Sequence, residues 1–146
     1  MSNQFAALSR SRPQWPLTIV IVESDESLLV EWTHALAVTR RYIVKTASNG
    51  FSGLLKIVEE MPDLIVSNLS LPHLSGAEMI RILRQDPQYR SVAIVVLTEG
   101  NNMPPDADCA ETRRCMRISK PVTGPELVSA LDEVVRVSHP DMEEHN

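Results

Sequence analysis

Cysteine is scarce. The 146 residues hold two, Cys109 and Cys115, six apart in a polar stretch with no pair of histidines nearby. That arrangement does not supply the four ligands of a structural zinc site. A chain of this length buries enough surface to fold without metal or disulfide, so two reduced thiols are the expectation. Long apolar runs are missing as well. No stretch approaches the roughly 20 residues of a membrane helix, and the opening MSNQFAALSRSRPQWP lacks the apolar core of a secretory signal. The chain is therefore expected to be cytoplasmic, without membrane contact. An excess of positive charge is also absent: the formal net charge is -5, which argues against broad, salt-dependent attachment to nucleic acid.

What is present is an alternation of two periodicities. LTIVIV (Leu17 to Val22) is short, β-branched and nearly all apolar, the pattern of a strand covered on both faces. The polar ESDES that follows contains residues able to start a helix, and Leu28, Leu29, Trp32, Leu36 and Ala37 recur at spacings of three and four on one helical face. YIVKTA (Tyr42 to Ala47) reads as a second strand. Leu54, Leu55 and Val58 mark a second helix that Pro62 ends. DLIVSN (Asp63 to Asn68) gives a third strand, followed by the loop LPHLSG and a third helix carrying Ile80 and Leu83 that stops near Pro87. VAIVVLT (Val92 to Thr98) is the most apolar strand and belongs in the interior of a sheet. CMRIS (Cys115 to Ser119) is weaker, and Leu127, Val128, Leu131, Val134 and Val135 trace a final helix.

Five strands alternating with helices predict an α/β sandwich: a five-stranded parallel sheet with helices on both faces, doubly wound in the flavodoxin-like manner. The boundaries are a flexible tail over 1–16, a domain over 17–137 and an acidic tail over 138–146. Between the fourth and fifth strands, Gly100, two asparagines and Pro104-Pro105 delay any helix, and Asp106 to Thr112 offers almost no apolar stripe; a short, weakly held helix is expected there. In such sheets reactive groups gather at the carboxyl ends of the strands. The polar residues at those ends are Glu23, Ser24 and Asp25 after the first strand, Asn68 after the third, Thr98 after the fourth and Lys120 after the fifth.

These residues resemble the receiver domains of bacterial response regulators over about Leu17 to Val137. The family pattern is an acidic cluster after the first strand, a phosphate-accepting aspartate after the third, Ser or Thr after the fourth and Lys-Pro after the fifth. Here Glu23 and Ser24, Asn68, Thr98 and Lys120-Pro121 stand at those places, separated by 44, 30 and 22 residues counted from Ser24. PDLIVSNLSLPHLSG is similar to the segment around the family's phosphorylation site.

The resemblance implies a small phosphotransfer chemistry: the aspartate attacks a phosphoryl group while Mg²⁺, held by that aspartate and the acidic cluster, neutralises the transferring oxygens. Asn68 stands at the phosphoacceptor position, and its amide carries no charge and cannot form an ordinary acyl phosphate. Ser24 replaces a metal-binding carboxylate. Magnesium binding is therefore expected to be weak or absent, since the ion demands hard, charged oxygen ligands, and no other cofactor is expected. The cleft is expected to satisfy itself, Lys120 with Glu23 and Asn68 with Thr98 or Ser24, and to hold one conformation. At the family's switch position, three before the lysine, an aromatic is usual. Arg117 is found there, and the cost of desolvating a guanidinium turns it outward. Glu99 is placed to pair with it or to cover the cleft.

The function expected is that of a stand-alone, atypical receiver, a pseudo-receiver and not an enzyme, acting by phosphorylation-independent contact with a histidine kinase, a phosphotransfer protein or an output protein, with a homodimer as a further form. Arg113, Arg114 and Arg117, on the face made by residues 104–112, CMRIS and the last helix, are the expected contact surface. The alternatives are a residual phosphoacceptor, or an anion-sensing module using Thr98 and Lys120. His34, His73, His139 and His145 are scattered, with no nucleophile spaced to form a catalytic group. Trp32 is expected inside the first helix; Trp15 either folds back on the domain or anchors a partner.

Overall fold

The computed structural model describes residues 15–100 and 115–138. Within them the chain alternates strand and helix: β1 (Leu17–Val22), α1 (Glu26–Ala37), β2 (Tyr42–Ala47), α2 (Gly50–Glu60), β3 (Leu64–Asn68), α3 (Gly76–Gln85), a short 3₁₀ turn (Pro87–Tyr89), β4 (Ala93–Glu99), β5 (Cys115–Lys120) and α4 (Gly124–Ser138). The strands form one parallel sheet in the order β2-β1-β3-β4-β5. The order changes direction between β1 and β3, the switch point where ligand clefts form in such sheets.

The helices start where side chains can satisfy their free N–H groups. Asp25 accepts from the backbone of Ser27 and Leu28 at the head of α1. Asn49 and Ser52 cap α2 reciprocally, and Ser75 accepts from the Glu78 N–H at the head of α3. Each cap sits just past the loop that leaves a strand.

Two apolar layers flank the sheet. On one face Trp32 and Leu36 of α1 meet Leu127, Leu131 and Val135 of α4 over Ile19, Ile21, Val66 and Val95, and the buried Trp32 indole donates to the Val122 carbonyl at 2.9 Å. On the other face Ile57 of α2 and Met79, Ile80 and Leu83 of α3 cover Val20, Ile65, Ile94 and Val96. β3 and β4 are buried on both faces along nearly their whole length, which is why they read as continuous apolar runs.

Several expectations need correction. The inner face of α2 is Gly50, Gly53 and Ile57, with Leu54 half-buried; Leu55 and Val58 point to solvent. The two glycines let α2 settle against Leu74 and Val22, leaving the larger residues outside. Ala37, the last residue of α1, is exposed. Cys115 is disulfide-bonded and no described cysteine is free, against the expectation of two reduced thiols; it opens β5, partly packed on the α2 and α3 side. The helix expected near 106–112, the tail over 1–16 apart from Trp15 and Pro16, and the tail past Ser138 lie outside the described residues. No described helix is long and apolar enough to cross a membrane.

Candidate functional site

The carboxyl ends of β1, β3, β4 and β5 converge on one polar centre in an otherwise apolar core. Glu23, the first residue past β1, is 1% exposed, and its Oε1 lies 2.8 Å from the Lys120 ammonium at the end of β5, whose side chain is 15% exposed. A carboxylate so thoroughly removed from water is tolerated only when paired and hydrogen-bonded. The remaining bonds come from its surroundings. The Asp25 N–H donates to Glu23 Oε2 at 3.1 Å, and the Asn68 amide donates to both Glu23 oxygens at 3.3 and 3.4 Å.

Asn68 ends β3 and is buried. Its Oδ1 accepts from the Ser70 N–H at 3.2 Å, which assigns the other end of the amide to Glu23. A carboxylate at this position would set two like charges at that same separation. The amide converts the contact into an attraction without a counter-ion. The expected partners of Asn68, Thr98 or Ser24, are thereby corrected: the amide meets Glu23, because Ser24 is exposed and the Thr98 hydroxyl is engaged elsewhere.

Thr98 Oγ1 donates to the Gly100 carbonyl at 3.3 Å, and Ser119 Oγ donates to the same oxygen at 3.1 Å. Thr98 and Ser119 face each other in the parallel register of β4 and β5, so one carbonyl clips the two strand ends together. Ser119 was not singled out in the sequence; its register opposite Thr98 is the signal that exposes it. Lys120 and Pro121 are joined by a cis peptide bond. Arg117 is exposed on β5, facing outward. It sits opposite Val96 while Glu99 sits opposite Lys120, three rungs along the ladder, and among the described residues no ion pair joins Arg117 to Glu99. Arg113 and Arg114 lie outside the described residues.

Asp25 stands at the rim. The Ser27 hydroxyl first, and the Leu28 N–H next, hold its carboxyl below the ordinary value; that carboxylate serves the head of α1. Two open cavities flank the centre. One of about 450 Å³ is bordered by Asn68, Ser70, Ser75, Glu78, Thr98 and Glu99. The other, about 560 Å³, lies across Lys120 between Leu28, Glu31, Glu99 and Thr123. Glu99 borders both. The Glu31 carboxylate accepts from the Gly124 N–H at 2.7 Å, tying α1 to the first turn of α4. No group of three or more His, Cys, Asp or Glu side chains able to hold a metal occurs among the described residues.

The model of the Response regulator receiver domain family matches residues 19–132. Among curated proteins, the chain is similar to the phosphate regulon transcriptional regulatory protein PhoB of Rhizobium meliloti, 28% identical over 124 residues covering 85% of this chain and 54% of that protein. It is also similar to the polar-differentiation response regulator DivK of Brucella anthropi, 26% identical over 117 residues covering 80% of this chain and 94% of that one. The chain thus spans about half the length of the first relative and nearly all of the second. The solved structure of the chemotaxis response regulator CheY4 of Vibrio cholerae shares the fold, with a TM-score of 0.72 at 24% identity over 81% of this chain and 98% of that chain.

Proposed function

Because this chain belongs to the family of response regulator receiver domains, we propose that it is a signal-transduction receiver that works without being phosphorylated, through contact with another signalling protein. One observation carries the reading: at the end of β3, where the family places its phosphate-accepting carboxylate, Asn68 donates its amide N–H to the buried Glu23. That amide offers no nucleophilic carboxylate, and it takes up the lone pairs on Glu23 that a metal would need.

Magnesium does not fit this donor set. Glu23 is shared among Lys120, Asn68 and the Asp25 N–H, the Asp25 carboxylate serves the helix cap, and Ser24 brings a neutral hydroxyl; a hard octahedral ion finds too little negative oxygen. An anion-sensing cleft is not favoured either, since the Lys120 charge is already met at 2.8 Å. The partner is a histidine kinase, a phosphotransfer protein or an output protein, with exposed Arg117 on β5 available to an acidic surface.

The test is an amide NMR titration with Mg²⁺ followed by beryllofluoride, run on the natural chain and on Asn68→Asp. The natural chain is expected to show no localised shifts at residues 23, 68, 98 and 120. Asn68→Asp, with its carboxylate facing Glu23, is expected to give saturable Mg²⁺ shifts at those residues. Saturable shifts in the natural chain would overturn the reading.

A further inference from the structure

Lys120 is held by the sheet on one side only. It ends β5, an edge strand whose neighbour is β4, and its rung there is the last one, opposite Glu99. Past it the chain leaves the sheet: Pro121, Val122 and Thr123 form neither helix nor strand before α4 begins at Gly124. The Lys120 ammonium nevertheless lies 2.8 Å from the buried Glu23 carboxylate. An ion pair in the interior offsets its desolvation only while such geometry holds.

α1 supplies the missing restraint. The Trp32 indole N–H donates to the Val122 carbonyl at 2.9 Å. One residue earlier on the same helix, the Glu31 carboxylate accepts the Gly124 N–H at 2.7 Å. One turn on, Ala35 closes on Gly124 so tightly that a methyl group there would lie 2.7 Å from the Ala35 Cβ. Trp32 and Ala35 grip the connection by packing against it. Glu31 does something else: it is exposed, and its charge is directed at a backbone N–H at the head of α4, where a helix favours an anion. It also borders the cavity that lies across Lys120. We propose that Glu31 is a positioning residue for Lys120, which fixes the short connection through the Gly124 N–H and so keeps the ammonium on Glu23. Because Glu31 is exposed, a contact on the surface of α1 reaches the cleft through it with no phosphoryl group involved. The inference rests on the reading of the cleft as closed by its own ion pair, and deepens it.

The proton–nitrogen NMR signal of the Lys120 ammonium group tests it in the full chain, with no metal or ligand added. Held against Glu23, the ammonium protons of the natural protein are expected to exchange slowly with water and to give a resolved signal. Glu31→Ala is expected to move that signal and to speed the exchange by about tenfold, the weight of one hydrogen bond to a charged group. Glu31→Gln keeps an acceptor oxygen for the Gly124 N–H and is expected to keep most of the natural signal. Tyr42→Phe controls for lost stability: it removes a hydrogen bond to Asp132, away from the cleft, and is expected to leave the ammonium unchanged. An ammonium indifferent to Glu31→Ala would overturn the proposal. So would an equal response to Tyr42→Phe, or a Glu31→Gln chain that behaves as Glu31→Ala does. Free exchange in the natural chain would overturn the ion pair itself and the proposal with it. Saturable Mg²⁺ shifts in the natural chain would overturn the closed cleft instead, and the two failures are told apart because the ammonium is read before any ion is added.

Discussion

Glu23 is the residue on which the polar centre depends. Buried carboxylates are costly, and the attraction to a cation in the interior offsets that cost only when the geometry is good and the remaining lone pairs are used. Here Lys120, the Asn68 amide and the Asp25 N–H together use them. Removing one partner is therefore worse than removing both. Lys120→Met is expected to destabilise the fold by about 3 kcal/mol, because it strands a buried charge. Adding Glu23→Gln in the same chain should recover at least half of that loss. Urea unfolding of the single and double variants checks it; a double variant as unstable as Lys120→Met alone would show that Lys120 stabilises through packing and not through Glu23.

At the scale of the elements, the position of Asn68 is set by how closely α3 approaches β3. A methyl group at Gly76 would lie 1.9 Å from the Asn68 carbonyl oxygen and 2.8 Å from its carbon, and the Gly76 N–H bonds to the Leu69 carbonyl at 3.0 Å. Backbone cannot yield as a flexible side chain can. Gly76→Ala is expected to cost about 2 kcal/mol, the usual range for overpacking, and to shift the amide resonances of Asn68 and Ser70 more than those of the distant α4. A melt equal to that of the natural chain would show that α3 has room to move away.

The same scale separates what could be read from the sequence from what could not. β1 and β2 were legible to the residue, and Trp32 was correctly placed inside, because period and composition agree in those segments. The inner face of α2 was not, because Gly50 and Gly53 contribute to packing by their lack of side chain, and hydrophobic periodicity counts only residues that have one. The Glu23–Lys120 pair was expected from the resemblance to receiver domains, which brings the ends of the first and fifth strands to one cleft. The Asn68–Glu23 bond was not, since which end of an amide faces which neighbour is decided by the Ser70 N–H, a backbone group with no signature in the sequence.

Across the whole molecule, the first strand, the edge strand and the last helix are fastened at the end of the sheet opposite the cleft. Asp132 of α4 accepts from the Arg41 guanidinium at 2.6 Å and from the Tyr42 hydroxyl at 2.8 Å. Trp15 packs edge-on against Tyr42 at 5.7 Å, with the Arg41 guanidinium 6.0 Å from its ring, so it folds back on the domain. Burial first, and the bond to Asp132 next, raise the Tyr42 pKa above its ordinary value. The folded state thus favours the neutral phenol, so this stability is fully present below about pH 10, where the unfolded phenol titrates, and is lost as pH rises beyond it. Tyr42→Phe is expected to lower stability at neutral pH by about 1 kcal/mol through the lost hydrogen bond, yet to decline less steeply than the natural chain in alkali. Denaturant melts at pH 7 and at high pH decide it; parallel declines would mean that Tyr42 ionises equally in both states.

The ion pair between Glu23 and Lys120 also joins two residues far apart along the chain. Glu23 leaves the first strand, while its cation arrives on the fifth, near the far end of the chain. During synthesis, the early units carry a carboxylate that cannot be enclosed without its partner, since an unpaired buried charge outweighs the apolar area gained around it. The loop between the two must close before the centre of the sheet dries. The cleft is thus expected to close late in folding: β1 and β3 already bring Glu23 the Asp25 N–H and the Asn68 amide, but its counter-charge comes only with β5.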